Sequence, residues 1–209
     1  MLLKDNAVIN HRALPDQNIQ KRLESAVIET FSRGDFHEAS MRKIAKKAGV
    51  SFGTIYKYYN DKNNLLFAFI DMWFDELVDR LVDHLQGISE TKEKLRKIFW
   101  IQLDYFERNA DIGKIIWITV PLKTWMTHET YKQNRLMDII INVLREGQTI
   151  GIFNPDVRPG LLLNFIIPLI NRSFNEWVYR GQKESLTSEA DMIFELILRA
   201  ISNPKYQSS

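Results

Sequence analysis

The chain has 209 residues, of which 45% are hydrophobic, and it carries a formal net charge of +2. A hydrophobic fraction of this size can build a core, which excludes a disordered chain. The sequence has no cysteine, which excludes disulfides, thiolate catalysis and cysteine-ligated metal sites and fits a reducing cytoplasm.

The N-terminal segment, residues 1–15, has no apolar run long enough for a signal peptide and is interpreted as a short mobile arm. The longest apolar stretch, around Leu161–Ile170, is about half of the roughly 20 residues that a membrane span needs. Asn164 and Pro168 also interrupt it. We therefore expect a cytoplasmic protein with no membrane partner.

Positive charge is concentrated near the N-terminus. Residues 39–62 carry six basic side chains and one acidic one, which gives this segment a net charge of +5 and leaves the rest of the chain at −3. A basic patch on a slightly acidic body suggests a polyanion partner at that end. A solvated lysine face on an ordinary helix would give the same pattern, so charge alone leaves both interpretations open.

Apolar residues recur with helical periodicity along nearly the whole chain, and no segment alternates as a strand does. This pattern predicts an all-α fold of about nine helices. The first three are short: Asn18–Ser32, a helix from the N-cap Ser40 to Gly49, and a helix capped by Ser51. The later helices are predicted over Asp61–Gln86, Thr91–Arg108, Asp111–Thr119, Leu122–Glu146, Pro159–Gly181 and Ser188–Ser202.

The turn Ala48-Gly49-Val50-Ser51 joins two of the short helices and outlines a helix-turn-helix. Gly49 can adopt a positive φ without steric cost, and Ser51 caps the second of the two helices. The first turn of that helix is then free to approach base edges in the major groove.

The helix after this turn presents an unusual set of side chains. Ile55 and Tyr59 point inward, which leaves outside Phe52, Thr54, Tyr56, Lys57 and Tyr58. Hydroxyl and lysine groups suit phosphates, and the rings can pack on sugars or thymine methyls. The alternative is that Tyr56 and Tyr58 are merely core residues, but so short a helix cannot bury all its faces.

These helices belong to a longer motif. The segment Met41–Lys62, MRKIAKKAGVSFGTIYKYYNDK, has a capped helix, Ala-Gly-Val-Ser, Gly-Thr-Ile-Tyr, an aromatic pair and a lysine. With this motif, Ile28–Leu66 resembles the TetR family of bacterial regulators. The segment Arg33-Gly-Asp-Phe is one residue longer than the family's usual turn.

The resemblance implies a role for each matching position. Thr54, Tyr56 and Tyr58 correspond to residues that contact phosphates or bases, Lys62 to a phosphate contact, and Phe52 to a position that sets sequence preference. The predicted DNA-binding residues are Ser40, Arg42, Ser51, Phe52, Gly53, Thr54, Tyr56, Lys57, Tyr58 and Lys62. The expected domains are a helix-turn-helix domain over residues 16–62 and a ligand-binding and dimerisation domain over residues 63–209.

The last two predicted helices are apolar nearly all round, so they require cover on all sides. A domain of this size covers part of them, and a second subunit is expected to cover the rest in a four-helix interface, as the resemblance also implies. A buried monomeric core is the alternative. The residues predicted for the interface are Leu162, Ile166, Ile170, Phe174, Trp177, Ile193, Ile197 and Ile201.

The middle helices carry many large rings, Phe74 and Trp100 among them, which are individually more often core than pocket. Together they can line an apolar cavity, and the resemblance implies a ligand site here. The residues predicted for its wall are Trp73, Leu103, Phe106, Trp117, Val120, Trp125 and Phe165. Asn164, Asn171 and Gln102 are candidate polar anchors, and Asp104 and Glu107 beside aromatic rings would instead suit a lipophilic cation.

The expected function is that of a homodimeric regulator, by resemblance a repressor, which leaves a palindromic DNA operator when a small apolar or amphipathic effector binds. An activator is the alternative. The long helix Asp61–Gln86 would swing between two states, with Trp73 sensing the pocket. An enzyme is not expected, because the four histidines lack metal-ligand spacing and no nucleophile motif occurs. Neither a cofactor nor a metal is expected. A scaffold that has lost DNA binding is the remaining alternative.

Overall fold

The computed structural model describes residues 15–34, 36–128 and 135–205, so the predicted arm lies outside the described residues apart from Pro15. The described chain is helical and has no β-sheet, which confirms the predicted all-α fold. The helices are α1 Gln17–Ser32, α2 Met41–Ala48, α3 Phe52–Tyr59, α4 Lys62–Leu85, α5 Thr91–Arg108, α6 Ala110–Lys114, α7 Leu122–Thr127, α8 Arg135–Thr149, α9 Pro159–Leu162, α10 Ile167–Tyr179 and α11 Ala190–Ile201. A π-helical segment, Ile115–Thr119, continues α6, and a 3₁₀ turn, Leu163–Phe165, follows α9.

The chain divides into two compact units, Met1–Phe69 and Ile70–Ser209. The first contains α1, α2, α3 and the beginning of α4, and the second contains the rest of α4 and all later helices. Helix α4 is therefore the element that supplies residues to both units.

Caps and a tight turn define the helix-turn-helix in the first unit. The Ser40 side chain accepts a hydrogen bond from the Lys43 amide, and Gly49 ends α2 in the left-handed conformation at φ 62°. The Ser51 hydroxyl then accepts from the Thr54 amide at 3.0 Å and starts α3. These local signals are the ones that the sequence carries, because each acts within three or four residues.

Two of the helices predicted from the apolar periodicity are too long, and the structure interrupts both. The predicted helix Leu122–Glu146 ends at Thr127, because His128 adopts an extended conformation, and α8 begins at Arg135. The predicted helix Pro159–Gly181 breaks between the 3₁₀ turn and α10. Pro168 lies in the first turn of α10, where its missing N–H costs no helical hydrogen bond.

Helix α5 lies at the centre of the second unit, where it packs against α8, α10 and α11. At its C-terminal end the Phe106 ring meets Trp117 edge-on at 5.4 Å and Phe174 at 5.9 Å. Gly113 on α6 faces the Phe174 ring so closely that an added Cβ would overlap it. The aromatic cluster therefore depends on the absence of a side chain at Gly113.

The substitution Gly113→Ala should destabilise the second unit by about 1–3 kcal/mol, because the fully buried Phe174 ring is held between Phe106 and Trp177 and cannot move aside. Gly160→Ala is the matched control, since its new Cβ meets only Arg158 at an ordinary distance. We expect it to be neutral or to stabilise by up to ~1 kcal/mol. Urea unfolding of both variants tests this, and equal stabilities would contradict it.

Candidate functional site

Helices α2 and α3 form a basic surface with exposed aromatic rings. No acidic residue occurs between Met41 and Asn60. Phe52 and Tyr56 are 42% and 53% exposed, and their ring centroids are 5.9 Å apart. The Arg42 guanidinium lies 5.5 Å from the centre of the Phe52 ring. The surface thus combines positive charge with an apolar patch, which suits a polyanion that also carries apolar groups.

Several predicted DNA-binding residues already serve the fold. The Ser40 and Ser51 hydroxyls cap α2 and α3, and the Thr54 hydroxyl shares a 2.8 Å hydrogen bond with Ser51. The Lys62 ammonium donates to the Phe36 carbonyl at 2.6 Å and lies 4.5 Å from the Phe36 ring, so it holds the turn that follows α1. These groups can meet a phosphate only by sharing or exchanging these bonds.

The other predicted residues of α3 are placed differently. Tyr56 and Lys57 are exposed, and the Lys57 ammonium lies 5.6 Å from the half-buried Tyr58 ring. An added Cβ at Gly53 would meet only the Ser51 hydroxyl, at 3.7 Å, so no contact within the described chain requires a glycine there. The sequence predicts the whole set as one surface, whereas the structure places Phe52 beside both Arg42 and Tyr56.

A tight turn connects α3 to α4. Asn60 adopts φ 65° and ψ −55°, and the Asp61 amide donates to the Tyr59 carbonyl at 2.7 Å, which forms a γ-turn. The Asp61 carboxylate then accepts from the Asn64 amide at 2.9 Å and caps α4. This conformation is strained for a residue with a side chain, and it fixes how α4 leaves the helix-turn-helix.

The second unit contains a cavity of about 790 Å³, a size typical of sites for small organic ligands. Its wall includes the π-helical segment, and such segments are frequent at functional sites. Among the described residues that line it none is charged: Phe74, Ile116, Trp117, Ile118, Val120, Pro121, Leu122, Trp125, Met137, Leu163, Asn164, Ile167, Pro168 and Asn171. The arrangement suits a long apolar group with few polar atoms.

The predicted pocket residues separate into two groups. Trp117, Val120 and Trp125 line the cavity, together with the predicted anchors Asn164 and Asn171. Trp73, Leu103, Phe106 and Gln102 are buried in the core and are not part of its wall, and Phe165 is 45% exposed outside it. The apolar stripe of α4 turns Trp73 inward, so its neighbour Phe74 reaches the cavity and packs 6.1 Å from Trp125.

The carboxylates considered for a cationic ligand are already paired. Asp104 forms ion pairs with Arg80 and, at 3.0 Å, with Arg108. Glu107 accepts from the Ser185 hydroxyl at 2.9 Å and from the Thr187 amide at 3.3 Å. Neither residue lines the cavity, so the structure gives no support to a lipophilic cation there.

The residues predicted for a dimer interface largely face the chain's own core. Leu162, Ile166, Ile170, Phe174, Ile197 and Ile201 are buried, and Trp177 and Ile193 are half-buried. The reason is that the chain from α9 to α11 carries apolar residues on two faces, and the buried residues among these lie on the face turned toward the core of the second unit. The outward face carries the exposed residues Leu161, Phe165, Leu169, Met192 and Leu196.

The described residues offer neither a metal site nor a membrane span. Within the residues that the structure describes, no group of three or more His, Asp or Glu side chains is placed to hold a metal ion. None of the described helices is both long enough and apolar enough to span a bilayer.

Two family models together match most of the chain. Residues 25–69 match the bacterial regulatory proteins of the tetR family, and residues 70–200 match the C-terminal region of YsiA-like protein. The chain belongs to the TetR family of bacterial regulatory proteins, which confirms the resemblance seen in its sequence. It is therefore a transcriptional regulator and not an enzyme.

Two individual relatives are similar to this chain over most of their length. The chain is 25% identical over 182 residues to the fatty acid metabolism regulator protein of Bacillus subtilis (strain 168), covering 85% of this chain and 93% of the relative. It is 23% identical to the transcriptional regulator UidR of Escherichia coli (strain K12), over 73% of this chain and 78% of UidR.

Solved structures share the fold. The fatty acid degradation regulator FadR from Bacillus halodurans has a TM-score of 0.77 at 20% identity, over 88% of this chain and 96% of that one. FadR from Bacillus subtilis in complex with stearoyl-CoA also has a TM-score of 0.77, at 21% identity, over 87% of this chain and 99% of that one.

Burial within the first unit raises the pKa of Tyr59 from its ordinary value of 10.0 to about 12, with a smaller contribution from Tyr58. Above pH 10 the unfolded chain releases this proton while the folded chain retains it, so stability falls as the pH rises from 10 toward 12. At pH 11 the loss should reach about 1.4 kcal/mol.

Tyr59→Phe should remove this part of the pH dependence, because phenylalanine has no proton to release. Denaturant unfolding of the helix-turn-helix between pH 9 and pH 11 measures the slope, and Tyr179→Phe, at a position that is 90% exposed, is the control. A Tyr59→Phe slope equal to that of the unsubstituted chain would contradict the prediction.

Proposed function

We propose that this chain is a homodimeric, ligand-responsive repressor that leaves a palindromic operator when a long-chain acyl compound, such as an acyl-CoA, binds in its second unit. The observation that carries the proposal is the cavity of about 790 Å³, whose described lining residues include no charged side chain. The basic surface of α2 and α3 supplies the DNA-binding part, and the cavity supplies the part that responds to the ligand.

The side chains that would bind DNA are those that are exposed and not committed to the fold. Arg42 and Lys57 supply positive charge toward phosphates, and Phe52 and Tyr56 project beside them. Ser51 caps α3 and directs its first turn outward, as a recognition helix requires. The remaining predicted residues, Ser40, Gly53, Thr54, Tyr58 and Lys62, border this surface.

The chemistry of the cavity wall determines which ligands would bind there. An alkyl chain gains from the apolar lining, whereas a buried charge without a partner would be strongly disfavoured. The charged part of an acyl-CoA would therefore remain outside, with Asn164 or Asn171 placed to meet a carbonyl group. The B. subtilis relative named for fatty acid metabolism, and the FadR structure with stearoyl-CoA, support this ligand class.

The response requires that the ligand bind one conformation more tightly than the other. Phe74 belongs to α4 and lines the cavity, and the same helix begins at Lys62, directly after the recognition helix. A ligand that displaces Phe74 would therefore act on the element shared by both units. A nearly complete switch needs a difference of about 5.5 kcal/mol between the two states.

A second copy of the chain is the proposed cover for the exposed apolar residues between α9 and α11. Leu161 lies in α9, Phe165 in the 3₁₀ turn and Leu169 in α10, at intervals of four residues, and Met192 and Leu196 have the same interval on α11. Pairing these faces about a two-fold axis would give a four-helix interface and place two recognition helices for a palindrome.

Tyr56→Ala should weaken operator binding about tenfold per half-site (~1.4 kcal/mol) while the dimer remains intact, because Tyr56 is exposed and contributes to no core. Fluorescence anisotropy with a labelled operator and analytical ultracentrifugation measure the two properties. Tyr179→Ala is the control, and unchanged DNA binding by Tyr56→Ala would favour a scaffold that has lost its DNA site.

Leu163→Trp should fill the cavity, so that stearoyl-CoA releases DNA only at concentrations at least about tenfold higher than for the unsubstituted chain. Ile150→Trp is the matched control, since Ile150 is exposed and does not line the cavity. DNA-release titrations measure both variants. An undiminished response of Leu163→Trp would place the ligand elsewhere.

A further inference from the structure

The first turn of α3 offers a duplex very few groups that can read a base. Ser51 and Thr54 are joined by the 2.8 Å bond between their hydroxyls, and the Ser51 oxygen also accepts from the Thr54 amide. Gly53 has no side chain. Among residues 51–54, Phe52 is thus the one side chain that is both exposed and uncommitted to the cap.

Tyr56 extends the apolar surface of Phe52 by one helical turn. The two rings tilt by 32° with centroids 5.9 Å apart, and both are exposed within the described chain, by 42% and 53%. Such a pair on the outside of a helix adds little to the core, which Ile55 and Tyr59 fill from the opposite face. The pair is therefore available to a partner.

The surroundings of the rings favour duplex DNA as that partner. Arg42 lies 5.5 Å from the Phe52 ring centre, and neither α2 nor α3 carries an acidic residue. The positive charge beside the rings matches the phosphates that border a major groove. An apolar protein partner would not require this charge.

Within the major groove, one base presents an apolar group at its edge. Guanine, cytosine and adenine offer donors and acceptors there, whereas thymine adds its C5-methyl group. The Phe52 ring can neither donate nor accept a conventional hydrogen bond, so it gains most against that methyl. Sugars line the walls of the groove, whereas the first turn of a recognition helix approaches the base edges.

We propose that Phe52 and Tyr56 form an apolar platform that reads the methyl group of a thymine in each operator half-site, with Phe52 as the specificity-determining residue. The inference rests on the proposed DNA-binding function. It decides between the two contacts that aromatic rings could make here, sugar or thymine, in favour of thymine.

The test uses a duplex selected from a random library by the unsubstituted protein. Each thymine is replaced in turn by deoxyuridine, which removes the methyl group and preserves base pairing. At one symmetry-related thymine pair we expect affinity to fall about fourfold for each methyl lost, the gain from burying one such group. In Phe52→Ala the same replacement should change affinity less than about twofold.

Two further variants distinguish the effect of the aromatic platform on base recognition from effects on DNA affinity in general. Lys57→Ala should weaken binding to the thymine and deoxyuridine duplexes equally, since a phosphate contact carries no base information. Tyr56→Phe should retain the full sensitivity to deoxyuridine, because it preserves the ring. Unchanged melting temperatures would verify that all three variants fold.

Two results would overturn the inference while leaving DNA binding in place. One is a selected operator in which every thymine can be replaced without loss of affinity. The other is a deoxyuridine effect of the same size in Phe52→Ala as in the unsubstituted protein. Failure to select any duplex would overturn the proposed function together with this inference.

Discussion

Helix α5 buries ten of its residues, and α8, α10 and α11 all pack against it. Three of the buried residues are polar, and each has a different partner. The Thr91 hydroxyl donates to the Glu146 carboxylate at 3.0 Å. Asp104 is neutralised by Arg80 and Arg108, and the Gln102 amide donates to the Ile98 carbonyl. Because the aromatic end of α5 is filled by Phe174 and Trp117, little space remains in the centre of the unit. The cavity instead lies where α4, α7 and the π-helical segment surround the beginning of α10.

The parts of the site that could be predicted from the sequence are those that do not depend on tertiary packing. The helix-turn-helix is encoded by signals that act over a few residues, such as the Ser40 and Ser51 caps and the Gly49 turn, and the structure contains each of them. The wall of the cavity depends instead on which face of each helix turns inward. Trp73 and Phe74 are adjacent in sequence and lie about 100° apart on the helix, and only tertiary packing decides that Phe74 reaches the cavity.

The same ambiguity affects the last two helices. Periodicity identifies a face, but α10 and α11 are apolar on two faces, so the pattern alone could not assign one to the core and the other to a partner. The structure assigns Ile170 and Ile197 to the core and leaves Leu169 and Leu196 outside. The helix breaks at His128 and before Pro168 could not be predicted from the sequence either. The reason is that the helical periodicity of apolar residues continues across a short interruption without an appreciable change of phase.

The distribution of charge limits how a ligand could act under the proposed function. The cavity wall has no charged residue among those described, and the basic residues of α2 and α3 belong to the other unit. The acyl chain that such a cavity would hold carries no charge, and the charged part of an acyl-CoA would remain outside it. The effect of the acyl chain must therefore be mechanical and pass through residues of the wall. Phe74 satisfies this requirement, because its helix continues to the γ-turn at Asn60, which fixes the direction in which α4 leaves the recognition helix.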